Sequence, residues 1–253
     1  MCLITFAVQQ HPNYPLIIVA NRDEFYERPT AAATFWKEQP KILAGKDLLQ
    51  GGSWMGVSTN GRFAAVTNYR DPSLSDANKH SRGEIVPQFL TSDLPVPQFL
   101  AKLQQQKQEY GGFNVLLFDG QQLLHFNNIM NETTIVHPGI HSVSNHTLNT
   151  PWPKVQQAKR LLTQAIDENN VAPGQLISLL TDTTVADDLK LPKTGVGIYL
   201  ERSLSPLFVK LPNYGTRCTT VLLIDQDKNV QYIERTYEQG EFAFDRSFSY
   251  TID

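Results

Sequence analysis

Cys2 follows Met1 directly and opens the apolar run Cys2-Leu3-Ile4-Thr5-Phe6-Ala7-Val8. Removal of Met1 would leave a thiol and a free α-amine on one residue, a nucleophile carrying its own base. The amine titrates near ~7.7–8.0 and a free thiol near ~8.5, so both exchange protons around neutrality. A neighbouring ammonium favours the thiolate, the form that attacks a carbonyl carbon. The competing reading is a small buried apolar residue at a strand start, the usual setting of a free cysteine.

The second feature is Asn21-Arg22-Asp23-Glu24, directly after the apolar run Leu16-Ile17-Ile18-Val19-Ala20. Four polar residues at the end of a central strand are expected at the rim of a sheet. In a plain turn their charges would be solvated. In a site, Arg22 would keep the Cys2 thiolate ionised or bind a substrate carboxylate. Asp23 would accept from the α-amine and fix its direction. Acyl transfer also puts charge on the carbonyl oxygen, and a carboxamide N–H aimed there is worth ~10²–10³ in rate without adding a charge.

The elements that must position these groups read as strands, then helices, then strands, helices and strands. Residues 2–9 and 16–20 are predicted strands, the second apolar throughout and therefore buried on both faces. Asn60-Gly61 between residues 54–58 and 62–68 is a two-residue hairpin signal. Ser81 is expected to cap a helix starting at Arg82. Val96, Phe99, Leu100 and Leu103 recur at helical spacing, as do Trp152, Val155, Leu162 and Ile166 after Pro151. Pro173 opens a short helix. Strands are predicted at 114–118, 123–127, 141–144, 219–224 and 230–235. No linker or repeat divides the chain, so one domain over 1–253 is expected, with two sheets covered by helices.

With 253 residues the chain buries about three quarters of its unfolded surface and needs no metal or disulfide staple. A net charge of −3 offers no footprint for nucleic acid. Cys2 and Cys218 are the two cysteines, which is no disulfide framework. No secretory signal and no membrane-spanning run is recognised, so a cytoplasmic location is expected. His137, His141 and His146 lie close in sequence, but Pro138-Gly139 breaks any helical spacing and no structural metal is expected.

The motifs carry a more specific message. Met1-Cys2-Leu3-Ile4, Asn21-Arg22-Asp23-Glu24 and Arg28-Pro29-Thr30 are followed by Leu43-Ala44-Gly45 and Gly51-Gly52-Ser53-Trp54. Further on come Thr67-Asn68-Tyr69-Arg70-Asp71-Pro72, Ser81-Arg82-Gly83-Glu84, Ser144-Asn145, Thr150-Pro151-Trp152-Pro153-Lys154 and Tyr214-Gly215-Thr216-Arg217. In this order they resemble the NRDE family, also called the transport and Golgi organisation protein 2 family. That family in turn resembles the cysteine N-terminal nucleophile hydrolases. The resemblance implies an α+β fold, a four-layer αββα sandwich with two mainly antiparallel sheets between helix layers. It implies Cys2 as nucleophile, Arg22 and Asp23 as orienting residues, Asn68 and Asn145 as oxyanion donors, and Arg217 as a late arginine near the nucleophile. Asn21, Glu24, Trp54 and Arg70 are the expected ligand contacts. The hydrolases read Arg-Asn-x-Asp where this chain reads Asn-Arg-Asp-Glu, so Asp23 and Glu24 both stand for the acid.

Two functions follow from the resemblance. One is hydrolysis of an amide or thioester of a small hydrophobic acyl substrate through acyl-Cys2, with no cofactor required. The other is a carrier that holds a hydrophobic or anionic ligand, haem or acyl-CoA, in the same cleft.

Overall fold

The structure, a computed structural model, describes residues 2–74 and 77–252. Met1, whose removal the chemistry of Cys2 calls for, lies outside the described residues. The strands are β1 (Cys2–Val8), β2 (Leu16–Phe25), β3 (Thr30–Phe35), β4 (Ile42–Asp47), β5 (Met55–Ser58), β6 (Phe63–Asn68), β7 (Phe113–Phe118), β8 (Leu123–Asn127), β9 (Glu132–Ile135), β10 (Gly139–Val143), β11 (Tyr214–Ile224), β12 (Asn229–Glu238) and β13 (Glu241–Thr251). The helices are α1 (Ile85–Leu90), α2 (Val96–Gln105), α3 (Pro153–Asp167), α4 (Pro173–Ser178) and α5 (Ile198–Ser203). They form two compact units, one of Met1–Glu27, Pro138–Ser144 and Leu148–Tyr250, the other of Arg28–His137, Asn145–Thr147 and Thr251–Asp253.

The first unit is built on a six-stranded sheet ordered β10-β1-β2-β11-β12-β13, and the pairings of β1, β2 and β11 are antiparallel. Leu3, Ala7, Ile17, Val19, Val221, Leu223 and Ile233 occupy alternating positions and form one core with Val155, Ala158 and Leu162 of α3 and Leu176 and Ile177 of α4. Burying each of the Val, Leu and Ile side chains contributes about 1.5–3 kcal/mol, so this face holds the sheet and helices together. Helix α3 starts where Pro153 fills the first turn behind an extended Trp152, a position that needs no amide N–H. It stops at Asn169, which takes φ 52° while Asn170 N donates to Ala165 O at 2.7 Å.

The second unit is a seven-stranded sheet in chain order, β3 to β9, antiparallel throughout. Ile85 and Phe89 of α1 and Phe99, Leu100 and Leu103 of α2 share a core with Ala64, Val66, Val115, Leu117 and Phe126. The predicted spacing of α2 is therefore its buried face. Gly61 takes φ +79° in the β5–β6 turn, a conformation that suits glycine.

The structure departs from the sequence reading in three places. The Asn21-Arg22-Asp23-Glu24 tetrapeptide lies within β2, because both β1 and β11 continue to pair with it. Ser81 makes no side-chain cap, and residues 82–84 form a 3₁₀ turn ahead of α1. Strands β3, β4, β9 and β13 and helix α5 were not foreseen; β9 and β13 are mostly exposed, so apolar periodicity does not mark them.

Candidate functional site

Cys2 begins β1 and stands directly opposite Arg22 of β2, which stands opposite Cys218 of β11. Directly opposed residues of an antiparallel sheet share a face, so the three side chains form one row with the guanidinium in the middle. All three are buried, Arg22 to 5% exposure. Glu24, two residues along β2 and on the same face, brings Oε2 to 3.9 Å from Arg22 Nη2. Burial pushes the Cys2 thiol up and the carboxylates of Asp23 and Glu24 push the same way, while the N-terminal ammonium and, less strongly, Arg22 oppose them. Burial and then Glu234 push the Cys218 thiol well above the usual range. Both cysteines are free. With a whole strand between them their Cα atoms are about 9.6 Å apart at ~4.8 Å per strand, beyond the ~7 Å a disulfide spans. A Cys2–Cys218 bridge would require β2 to leave the sheet.

Asn21 and Asp23 project to the other face of β2. Asn21 is a buried tie: Nδ2 donates to Leu180 O at 2.8 Å and Leu207 O at 2.9 Å, and Oδ1 accepts from Thr219 Oγ1 at 2.6 Å. Asp23 Oδ1 accepts from Thr216 Oγ1 at 2.8 Å, and Tyr214 Oη donates to Asp23 O at 2.9 Å. The register shifts between Thr216 and Cys218, which makes Arg217 the extra residue of a bulge. Its Nη1 donates to Phe25 O at 2.8 Å and Tyr26 O at 3.1 Å. Burial lowers the pKa of Arg217, and the charge of Arg22 acts in the same direction, so the two guanidiniums lie within each other's field. A Cβ on Gly215 would meet Tyr26 Oη at 2.3 Å and Val209 O at 2.5 Å.

In the second unit Asn145 Nδ2 donates to Asn68 O at 3.0 Å, and Asn145 O accepts from Arg70 N at 2.7 Å. The two asparagines are thus brought together, with one carboxamide donor engaged on backbone and Asn145 fully buried. Arg70 is half-buried. The Trp54 ring lies on Gly45, where a Cβ would come within 2.2 Å of it. His146 Nε2 is 3.0 Å from Tyr69 Oη, whereas His141 of the first unit stacks on Phe6. No cluster of three metal-binding side chains occurs among the described residues.

The sequence matches the model of the family described as Transport and Golgi organisation 2 over residues 1–239. The chain belongs to this family. A Bos taurus transport and Golgi organization protein 2 homolog is 36% identical over 93% of both chains. Its Homo sapiens counterpart is 35% identical over 100% of this chain and 99% of its own. Among solved structures, the C2A mutant of conjugated bile acid hydrolase from Clostridium perfringens superposes with a TM-score of 0.52 over 99% of this chain and 97% of its own, at 8% identity. That likeness shows the fold alone, an α+β arrangement with two antiparallel sheets.

The motifs of this transport and Golgi organisation 2 chain acquire physical reasons. Tyr214-Gly215-Thr216-Arg217 grips the far end of Asn21-Arg22-Asp23-Glu24 through four hydrogen bonds to Asp23, Phe25 and Tyr26. Gly83 O accepts from Ser53 N at 2.9 Å, and a Cβ on Gly52 would lie 2.4 Å from the Gly83 carbonyl carbon. Sequence reasoning named Cys218, Thr216 and Ser144 but gave them no place beside Cys2 and Asp23; Ser144 Oγ donates to Cys2 O at 2.9 Å. Their places depend on strand pairing between distant segments, which the local sequence does not mark.

Proposed function

We propose that this protein is a cysteine N-terminal nucleophile hydrolase acting on an amide or thioester of a small hydrophobic acyl group. The observation that carries this reading is the row in which Cys2 faces Arg22. With Met1 removed, the Cys2 sulfur adds to the carbonyl carbon, and the oxyanion collapses as the amine or thiol leaves with a proton from the α-ammonium. Water then adds to the Cys2 thioester, releases the acid and returns the thiol. Arg22 holds the thiolate against burial, and Asp23 and Glu24 are the two candidate acids for the α-amine.

The test is intact mass combined with acyl trapping. Purified protein is incubated with acyl amides and acyl thioesters of graded chain length. The reading expects a mass lacking Met1, a transient acyl adduct on Cys2, and loss of both adduct and turnover in Cys2→Ala. Protein that turns over a substrate equally well as Cys2→Ala would overturn it.

A second reading has its own observation: the guanidiniums of buried Arg22 and half-buried Arg217 lie within each other's field. Such a pair suits a ligand with anionic groups, and the family resemblance suggests haem or long-chain acyl-CoA. This carrier predicts saturable binding of either probe to Cys2→Ala, weakened about tenfold or more in Arg217→Gln, since a charge-assisted contact contributes roughly 1.5–3 kcal/mol.

A further inference from the structure

Strand β13 is unlike the rest of its sheet. It stands at the end of the strand order, and β12 is its only sheet neighbour among the described residues. It is eleven residues long, about 36 Å at ~3.3 Å per residue, and exposed at 241, 242, 244–247, 249 and 251. Edge strands are usually shortened, bent or armed with lysine or proline to prevent pairing. The segment Glu241-Phe242-Ala243-Phe244-Asp245-Arg246-Ser247-Phe248-Ser249-Tyr250-Thr251 contains no lysine, proline or glycine. Alternation puts Phe242, Phe244, Arg246, Phe248 and Tyr250 on one face, and Phe242 and Phe244 are 61% and 39% exposed. The strand also lies beyond the residues matched by the family model.

We propose that β13 pairs antiparallel with β13 of a second copy of this chain, joining two six-stranded sheets into one of twelve strands. The sequence is self-complementary about Asp245. A two-fold axis there sets Phe242 opposite Phe248 of the second copy, Ala243 opposite its Ser247, and Phe244 opposite its Arg246. The last contact already has a precedent within the chain, where the Arg246 guanidinium lies 5.7 Å from the Phe244 ring centre. The two Asp245 carboxylates face each other, but each is bound by its own Arg235 through two bonds of 2.8 Å, which neutralises them. A register centred on Arg246 would instead oppose two arginines. An edge of this length with two half-exposed phenylalanines per copy buries on the order of 1,000 Å², the low end of specific interfaces. The dimer is therefore expected to dissociate in the micromolar range.

Sedimentation velocity of the full chain from about 5 to 500 µM should show a monomer–dimer equilibrium that Phe244→Lys shifts at least tenfold towards monomer. Circular dichroism and the melting temperature of Phe244→Lys should match the parent, which separates loss of pairing from loss of fold. A double variant, Ala243→Cys with Ser247→Cys, should form intermolecular disulfides on mild oxidation, because the proposed register sets those positions opposite each other. A chain that stays monomeric throughout overturns the proposal. So does a dimer that survives Phe244→Lys or gives no 243–247 cross-link.

Discussion

Arg22 is one of two cations that favour the Cys2 thiolate, and it is the one a substitution can remove. Burial stabilises the neutral thiol, and the N-terminal ammonium and then the guanidinium opposite work against it. Two consequences have definite signs. Alkylation of Cys2 by iodoacetamide, followed by intact mass in the Cys218→Ala background, should reach half its maximal rate above the pH of an ordinary thiol. Arg22→Gln removes the stabilising cation, so its midpoint should move higher still and its rate at pH 8 should fall several-fold. A midpoint that moved down would show that Arg22 acts otherwise. This pair was legible because Cys2 and Arg22 belong to short motifs with a fixed order along the chain. Cys218 was not, because its place beside Arg22 arises from a pairing between segments nearly two hundred residues apart.

At the scale of elements, small residues set the approach of neighbouring strands and rings. Gly45 of β4 lies under Trp54, and both are buried. Gly45→Ala forces the indole aside and should cost about 1–3 kcal/mol, the range for overpacked cores. For a chain of this size that is a fall of about 2–4 °C in melting temperature per kcal/mol. Trp54→Leu costs stability by itself through the cavity it leaves, yet Gly45→Ala should cost much less in its presence. Additive losses in the double variant would exclude this contact as the cause. Helices α2 and α3 could be read from the sequence, since their apolar spacing matches the side they bury. The full length of β2 could not. Asn21, Arg22 and Asp23 look like a turn until hydrogen bonds from Thr219 and Thr216 and pairing with two neighbours make them strand.

For the whole molecule, titration should act on the two units at opposite ends of the pH scale. The second unit buries His125, whose Nε2 lies 3.0 Å from Asn114 Oδ1 and whose Nδ1 has no hydrogen-bond partner. Burial lowers its pKa from 6.5 to about 4. Between those values the unfolded chain binds a proton that the folded chain refuses, so stability is complete above pH 6.5 and declines as pH falls towards 4. The loss amounts to about 3 kcal/mol. The first unit buries Cys2, Cys218 and Tyr232, all with pKa values raised by burial. There the unfolded chain releases protons first, so stability holds below the ordinary thiol value and declines as pH rises beyond it. Hydrogen exchange of peptides should therefore show β7 and β8 losing protection first near pH 4.5. Near pH 10, β1, β11 and β12 should lose it first, after correction for the intrinsic exchange rate. His125→Leu should reduce the acid-side decline of the second unit, to which half-buried His146 also contributes, while leaving the alkaline one intact. Equal loss of protection in both units at both extremes would mean that these buried groups do not govern the pH response.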